Sequence, residues 1–401
     1  MMLNPSDLDA GMAKIASEIF AHCQYGRQSV GLPADQLACG QFYDVNARNR
    51  DQRGLHGTAG AISILLSSAR NEHVEAAKKL LNFAKAHHDD PDEGDDRLNC
   101  IKQSEILLTK NSLVSNENSA FLSNIKDIIL AKQILSTGSW PYFFDDNEPS
   151  EVATCYAVLS LINKLASDSD TLKNAQNFLW KTQTDYIPSS KASDIYAIAI
   201  RSLILFVLSK CNSNISGLNY DLKKLSNNLR ELWNHSYPQF KSEFEVTVEY
   251  AKGDKNYYLR LPWQIYLSHG LILVNPRNFY TIRLQRYLGI LNESAINGGY
   301  KYAHAGNYLS TRTNAILYDF LNTAKAINFP KPYLTIAIDQ FLETWSKTYI
   351  RLLLIFTFGI YFLNWSNEWK DQLNEQGPLW VEFIGAAVIS GLSWLFSTGR
   401  R

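Results

Sequence analysis

Apolar residues recur at i, i+3, i+4 and i+7 through much of the chain, the spacing of helices with one buried stripe. The pattern predicts helices over 6–24, 57–69, 72–88, 117–135, 150–166, 168–181, 191–211, 218–234, 261–274, 276–292, 308–327 and 331–349. The stretch Ala192–Cys211 is apolar nearly all round and predicts a helix buried on most faces. Arg201 at its middle argues against a membrane span there. A different period appears over 243–261. Phe244, Val246, Val248 and Tyr250 alternate with Glu243, Glu245, Thr247 and Glu249. A Lys-Gly-Asp turn and a second β-prone run follow, which predicts a β-hairpin with one solvated face, inserted into a helical domain.

Two long apolar stretches close the sequence, at about 349–365 and 379–396. Each would be about 26 Å long as a helix, near the thickness of a bilayer's hydrocarbon core. Trp365, Trp380 and Trp394 fall near their ends, where interfacial rings belong. Lys347, Arg351, Arg400 and Arg401 flank the pair outside, while Glu368, Asp371 and Glu375 lie in the connecting loop. Basic outer flanks around an acidic loop place both chain ends on the cytoplasmic side. Small residues at Ala386/Ser390 and Ala387/Gly391 would let two helices approach closely, and self-association through the hairpin is open. Glu382 fits this reading least, although it sits in the first turn of its span, within reach of water. The alternative is a pair of buried helices in a soluble core. The expected organisation is a soluble domain over 1–345 followed by a double-pass membrane hairpin over 346–401, held in an inner or plasma membrane if the source is bacterial.

Two stretches repeat one pattern. Gly138–Leu161 reads GSWPYFFDDNEPSEVATCYAVLSL and Gly298–Leu321 reads GGYKYAHAGNYLSTRTNAILYDFL. Gly138 matches Gly298, Trp140 matches Tyr300, Tyr142 matches Tyr302 and Ser150 matches Ser310. Glycine permits a tight turn, the aromatics can wedge between helices, and the serine can cap the helix that follows. A fainter copy runs over Gly40–Leu66.

This pattern resembles the repeat of the terpenoid-cyclase and protein-prenyltransferase family. The resemblance implies an all-α fold, an α/α toroid with inner and outer rings of helices around a cavity. Leu55–Gly60 (LHGTAG) also resembles repeats of lanthionine-synthetase cyclases, which share the toroid. The D-x-D-D acid motif of the cyclases is absent, as are the C-H-G and D-x-C elements that place zinc ligands.

Composition narrows the function. Lys+Arg and Asp+Glu number 39 each, so no net charge draws the chain to nucleic acid. The five cysteines are scattered without CxxC spacing, which fits reduced thiols and gives no metal site. The N-terminal MMLNPSDLDAGMAKIASEIF lacks the basic start and apolar run of a signal peptide. The acidic run Asp89–Asp96 fails the calcium-loop pattern, with Pro91 at the third position and Cys100 at the twelfth. No cofactor is expected.

Rim loops of a toroid face its cavity, which makes Asp145, Asp146 and Glu148 candidate acids or cation ligands. His56 and His304 are candidate general acids or bases. Arg312 could hold an anion, and Trp140, Tyr142, Tyr300 and Tyr302 could line an apolar cavity. For each, ordinary solvation, hydrogen bonding or helix wedging is the plainer alternative. The expected function is a ligand- or partner-binding sensor or effector at the membrane. Its plan resembles bacterial antiphage effectors, which join a soluble recognition domain to a two-helix membrane segment. The alternatives are a membrane-associated enzyme on an isoprenoid, lipid or peptide substrate, and a scaffold in a membrane complex. Membrane lipids, and a protein partner or small-molecule ligand, are the expected partners.

Overall fold

The computed structural model of the chain describes residues 5–44, 54–89, 99–108, 116–166, 169–187, 194–214, 221–236, 246–252, 255–276, 278, 281–299 and 308–327. The predicted membrane spans, the helix expected at 331–349, and the candidates Tyr300, Tyr302 and His304 lie outside the described residues. The chain divides into two compact units, Met1–Asn328 and Phe329–Arg401. All described residues belong to the first. No helix among them is long and apolar enough to cross a membrane.

The described residues are mainly helical. In chain order they form α1 (Pro5–Val30), α2 (Leu55–Ser68), α3 (Asn71–His87), α4 (Cys100–Leu107), α5 (Asn116–Ala131) and α6 (Glu151–Leu161). Then come α7 (Asp170–Thr182), α8 (Ile195–Asn214), α9 (Leu222–Ser236), α10 (Trp263–Val274), α11 (Ile282–Ile296) and α12 (Thr311–Ala326). The short strand β1 (Phe42–Asp44) pairs antiparallel with β4 (Tyr308–Ser310), and β2 (Val246–Lys252) pairs with β3 (Lys255–Leu261).

Burial sorts the helices into two kinds. From Ala197 to Ser209 every side chain of α8 is buried, and α10 is buried from Trp263 to Ile272. In contrast, α9 buries Leu225, Leu229, Leu232 and Trp233 and leaves its lysines outward. A helix apolar all round belongs inside, and an amphipathic one covers it. The packing order follows the same division. Each even-numbered helix packs on the next, α2 on α4, α4 on α6, α6 on α8, α8 on α10 and α10 on α12, and α12 packs on α2. Five odd-numbered helices lie against them, with α3 on α2, α5 on α4, α7 on α6 and α8, α9 on α8 and α10, and α1 on α12 and α2, while α11 packs on α1. Arg201, which argued against a span, is 6% exposed in α8, and its Nε donates to Gln183 Oε1 at 3.1 Å.

The hairpin takes its predicted alternation. Val246 and Val248 are buried opposite Leu261 and Leu259, while Thr247 is exposed, and both strands pack against α8. Its first predicted residues, 243–245, lie outside the described residues.

The repeat has a shared hydrogen-bonding basis. Gly138 and Gly298 hold φ of 78° and 100°, which favours glycine. Ser150 and Ser310 cap α6 and α12 by accepting from Ala153 N and Thr313 N. In the fourth helical position a polar side chain bonds back to the preceding segment. Thr154 Oγ1 accepts from Trp140 N and donates to Ser150 O, and Asn314 Nδ2 donates to Ser310 O. In the first copy Thr58 Oγ1 accepts from Cys39 N at 3.1 Å. Cys39, not a residue after Gly40, therefore stands where Trp140 stands, and the first copy is offset from its sequence alignment. Outgoing contacts correspond as well. Cys100 N donates to Tyr142 O and Thr311 N to Gln41 O, each at 2.9 Å. Asn99, the cap of α4, pairs with Phe143 as Ser310, the cap of α12, pairs with Phe42.

The first copy packs more tightly than the others. A Cβ on Gly57 would lie 2.2 Å from the Gly40 backbone. Gly57→Ala is expected to push the Cys39–Gly40 segment away from α2 and cost about 1–3 kcal/mol. Urea denaturation checks this, and an unchanged midpoint would refute the close approach.

Three differences from the sequence reading stand out. Cys100–Leu107 is a helix that the pattern did not predict. At eight residues it is too short to show a period, and its polar residues are buried with its apolar ones. The helix expected from 276 begins at Ile282, after the Thr281 side chain caps it by accepting from Leu284 N. Arg312, for which surface solvation was the plainer alternative, is 5% exposed.

Candidate functional site

The second residue of the repeat helix is His56 in α2, Val152 in α6 and Arg312 in α12. Val152 is buried, the ordinary use of that position. Because α12 packs on α2, His56 and Arg312 are brought to the same place, and Glu105 of α4 meets both. Glu105 Oε1 lies 2.5 Å from Arg312 Nε, and Glu105 Oε2 lies 2.5 Å from His56 Nδ1. The side chains of Glu105 and Arg312 are each 7% exposed, and that of His56 is 25% exposed. The guanidinium lies over the Tyr156 ring, with Cζ 4.8 Å from the centroid. Tyr156 OH is 2.8 Å from Tyr266 OH.

Burial pushes the Glu105 carboxyl up, but the charges of Arg312 and His56 outweigh it and hold the group below the usual carboxylate range. Burial alone would lower the Arg312 pKa. Glu105 reverses that, and the guanidinium stays charged. Burial raises both tyrosines, so they remain neutral phenols. Arg312 Nε is close to Glu105 but has no aligned hydrogen bond, and Nη2 has no hydrogen-bond partner among the described residues.

These groups border a cavity of about 290 Å³. Every even-numbered helix contributes to its lining. Ser63 comes from α2, Glu105 from α4, Tyr156 from α6, Phe206 and Lys210 from α8, Tyr266 from α10 and Arg312 from α12. Leu159 and Ile316 give it apolar surface. Lys210 Nζ is bound to Asp319 Oδ2 at 2.9 Å, so the second cation on the lining already faces an anion. Beside that pair His269 is fully buried, with Nε2 2.9 Å from Thr323 Oγ1, and burial lowers its pKa to about 3.

The other sequence candidates fall elsewhere. Asp145 and Glu148 are exposed and Asp146 is half-buried, in the segment before α6, and none lines the cavity. Trp140 is fully buried, and its Nε1 donates to Ile129 O at 2.7 Å. Tyr142 packs edge-on against Phe143 and lies near enough to Arg312 to act on its charge. Neither ring lines the cavity. All five cysteines are free and buried. Burial pushes Cys100 and Cys211 up to about 12, and Cys155 is raised too. Among the described residues no group of three or more His, Cys, Asp or Glu is placed to hold a metal ion.

Sequence reasoning named His56 and Arg312 but missed Glu105, Tyr156, Lys210, Tyr266 and Asp319. One signal was available, an arginine standing in register with an apolar position of its own repeat. Comparison with protein-family models, with curated proteins and with solved structures finds no match to this chain.

Proposed function

We propose that residues 1–345 form an α/α toroid that binds a small ligand at its centre. The even-numbered helices are its inner ring and the odd-numbered helices its outer ring. The pairing of β1 with β4 joins the first repeat to the last. The apolar stretches at 349–365 and 379–396 are a membrane hairpin, with both chain ends on the cytoplasmic side. The chain is then a membrane-held sensor or effector whose ligand state passes to the hairpin, the plan of antiphage effectors that act at the membrane.

One observation carries this reading: a cavity bordered by all six even-numbered helices, with a buried guanidinium beside two neutral phenols. A ligand there touches every helix of the ring, so binding would stabilise the whole domain. Glu105, Tyr156, Tyr266 and Arg312 are each held in one protonation state, which suits a binding site.

The test is mass spectrometry of the full chain taken from native membranes. A small molecule is expected in a fixed ratio to protein, and lost from Ala315→Trp, which fills the cavity from α12. A chain that arrives empty and binds nothing in a metabolite screen, or a ligand retained by Ala315→Trp, would sink the proposal.

A further inference from the structure

Three ionisable groups stand in a row. His56 contacts one oxygen of Glu105, the other oxygen faces Arg312, and Arg312 Nη2 comes next with no hydrogen-bond partner among the described residues. A buried donor left in that state is costly, and a charged acceptor is its strongest partner. Resting on the reading of the cavity as a ligand site, the geometry points to a carboxylate-bearing small molecule, its head on the Arg312 guanidinium and its apolar body along Leu159, Phe206 and Ile316.

On the lining Arg312 and Lys210 stand against Glu105 and Asp319, so the space tolerates no more than a single added negative charge. The guanidinium is only partly engaged by Glu105. Lys210 cannot serve a dianion without leaving Asp319, 2.9 Å away. Glu105 and Asp319 both line the same space and repel excess negative charge. The apolar side chains favour a hydrocarbon body over a bare ion. At about 290 Å³ the space suits a small ligand, close to the lower end of small-molecule pockets at about 300 Å³.

The experiment is calorimetric titration of the full chain, kept soluble in amphipol, with hexanoate, hexan-1-ol and inorganic phosphate. Hexanoate is expected to bind at least about tenfold more tightly than hexan-1-ol, since one charge-assisted hydrogen bond separates them. Inorganic phosphate is expected to bind more weakly than hexanoate. Arg312→Gln alone strands the Glu105 charge and risks unfolding, so the informative variant is Glu105→Gln with Arg312→Gln. That pair is expected to bring hexanoate down to the affinity of hexan-1-ol while leaving hexan-1-ol binding in place. Arg312→Lys keeps the charge against Glu105 but loses the fork, and the preference for hexanoate is expected to shrink. Equal binding of hexanoate and hexan-1-ol overturns the carboxylate and leaves the ligand cavity standing. Phosphate binding as tightly as hexanoate overturns the apolar body. A preference that survives in the double variant overturns the role of Arg312. If none of the three binds, and Ala315→Trp behaves as wild type in every titration, both the carboxylate and the cavity reading fail.

Discussion

Replacing Arg312 with glutamine is expected to lower the stability of the fold by about 3–5 kcal/mol, the usual cost of stranding one member of a buried ion pair. Glu105 would then stay 7% exposed with only His56 to face it. Glu105→Gln is expected to cost a similar amount by leaving Arg312 uncompensated. The double variant is expected to recover much of the loss, because neither charge remains to be desolvated. A double-mutant cycle from urea denaturation reads the coupling. A single variant within about 1 kcal/mol of wild type would mean that the pair is not buried as described. Acidity gives a second readout of the same contact. The folded protein holds Glu105 below its ordinary value of 4.5. Its contribution is therefore complete above that value and is lost as pH falls through the lowered one. Without Arg312 the leading cause of the lowering is gone, and burial drives the group upward instead. Stability should then fall less steeply on acidification in Arg312→Gln than in wild type.

How far the sequence could lead to this site depends on which residues carry a period. Long helices with one apolar stripe, such as α9, or apolar nearly all round, such as α8, announce themselves because burial selects residue type at fixed spacing. The hairpin at 246–261 announces itself by the period of two. The repeat was legible because its turn needs glycine at Gly138 and Gly298, and its helix needs a cap at Ser150 and Ser310. Helix α4 has a cap at Asn99 but neither a period nor the glycine turn of the repeat. It buries Lys102, Gln103, Ser104 and Glu105 along with Cys100, Ile101, Ile106 and Leu107. The burial of Glu105 depends on partners brought from α2 and α12, which are distant in sequence. Spacing therefore hid the one carboxylate on which the site is built, while His56 and Arg312, in helices that the repeat marked, could be named. Their partnership still required knowing that α12 packs on α2. The repeat contained that information only in weak form, since Arg312 and His56 stand where α6 has Val152. A charge at an apolar register position is a departure from the repeat's own rule. Such departures are expected where function, and not packing, chose the residue.

Trp140 shows the opposite use of a repeat position, and its removal is the other large expected effect. Trp140→Ala should cost about 3–5 kcal/mol, the usual range for emptying a buried aromatic site. The side chain is fully buried, its Nε1 donates to Ile129 O at 2.7 Å, and its backbone N donates to Thr154 Oγ1 at 2.9 Å. The indole thus ties the turn after α5 back to α5, and the backbone N–H ties it to α6. Trp140→Phe keeps most of the volume and removes the indole's bond to the Ile129 carbonyl, which still accepts from Lys132 N at 3.1 Å, so only about 0.5–1.5 kcal/mol is expected. The first copy solves the same problem with little volume. Cys39 stands in the place of Trp140, and Gly57 lets α2 close onto the Gly40 backbone. The two copies are therefore not interchangeable, and Cys39→Trp should be tolerated worse than Trp140→Phe. Trp140 does not line the cavity. A wedge that only positions helices changes stability and leaves affinity alone while the domain stays folded. Urea denaturation together with hexanoate titration separates these roles. Trp140→Phe binding hexanoate about tenfold more weakly, with its unfolding midpoint unmoved, would return the indole to the ligand site and overturn the structural assignment.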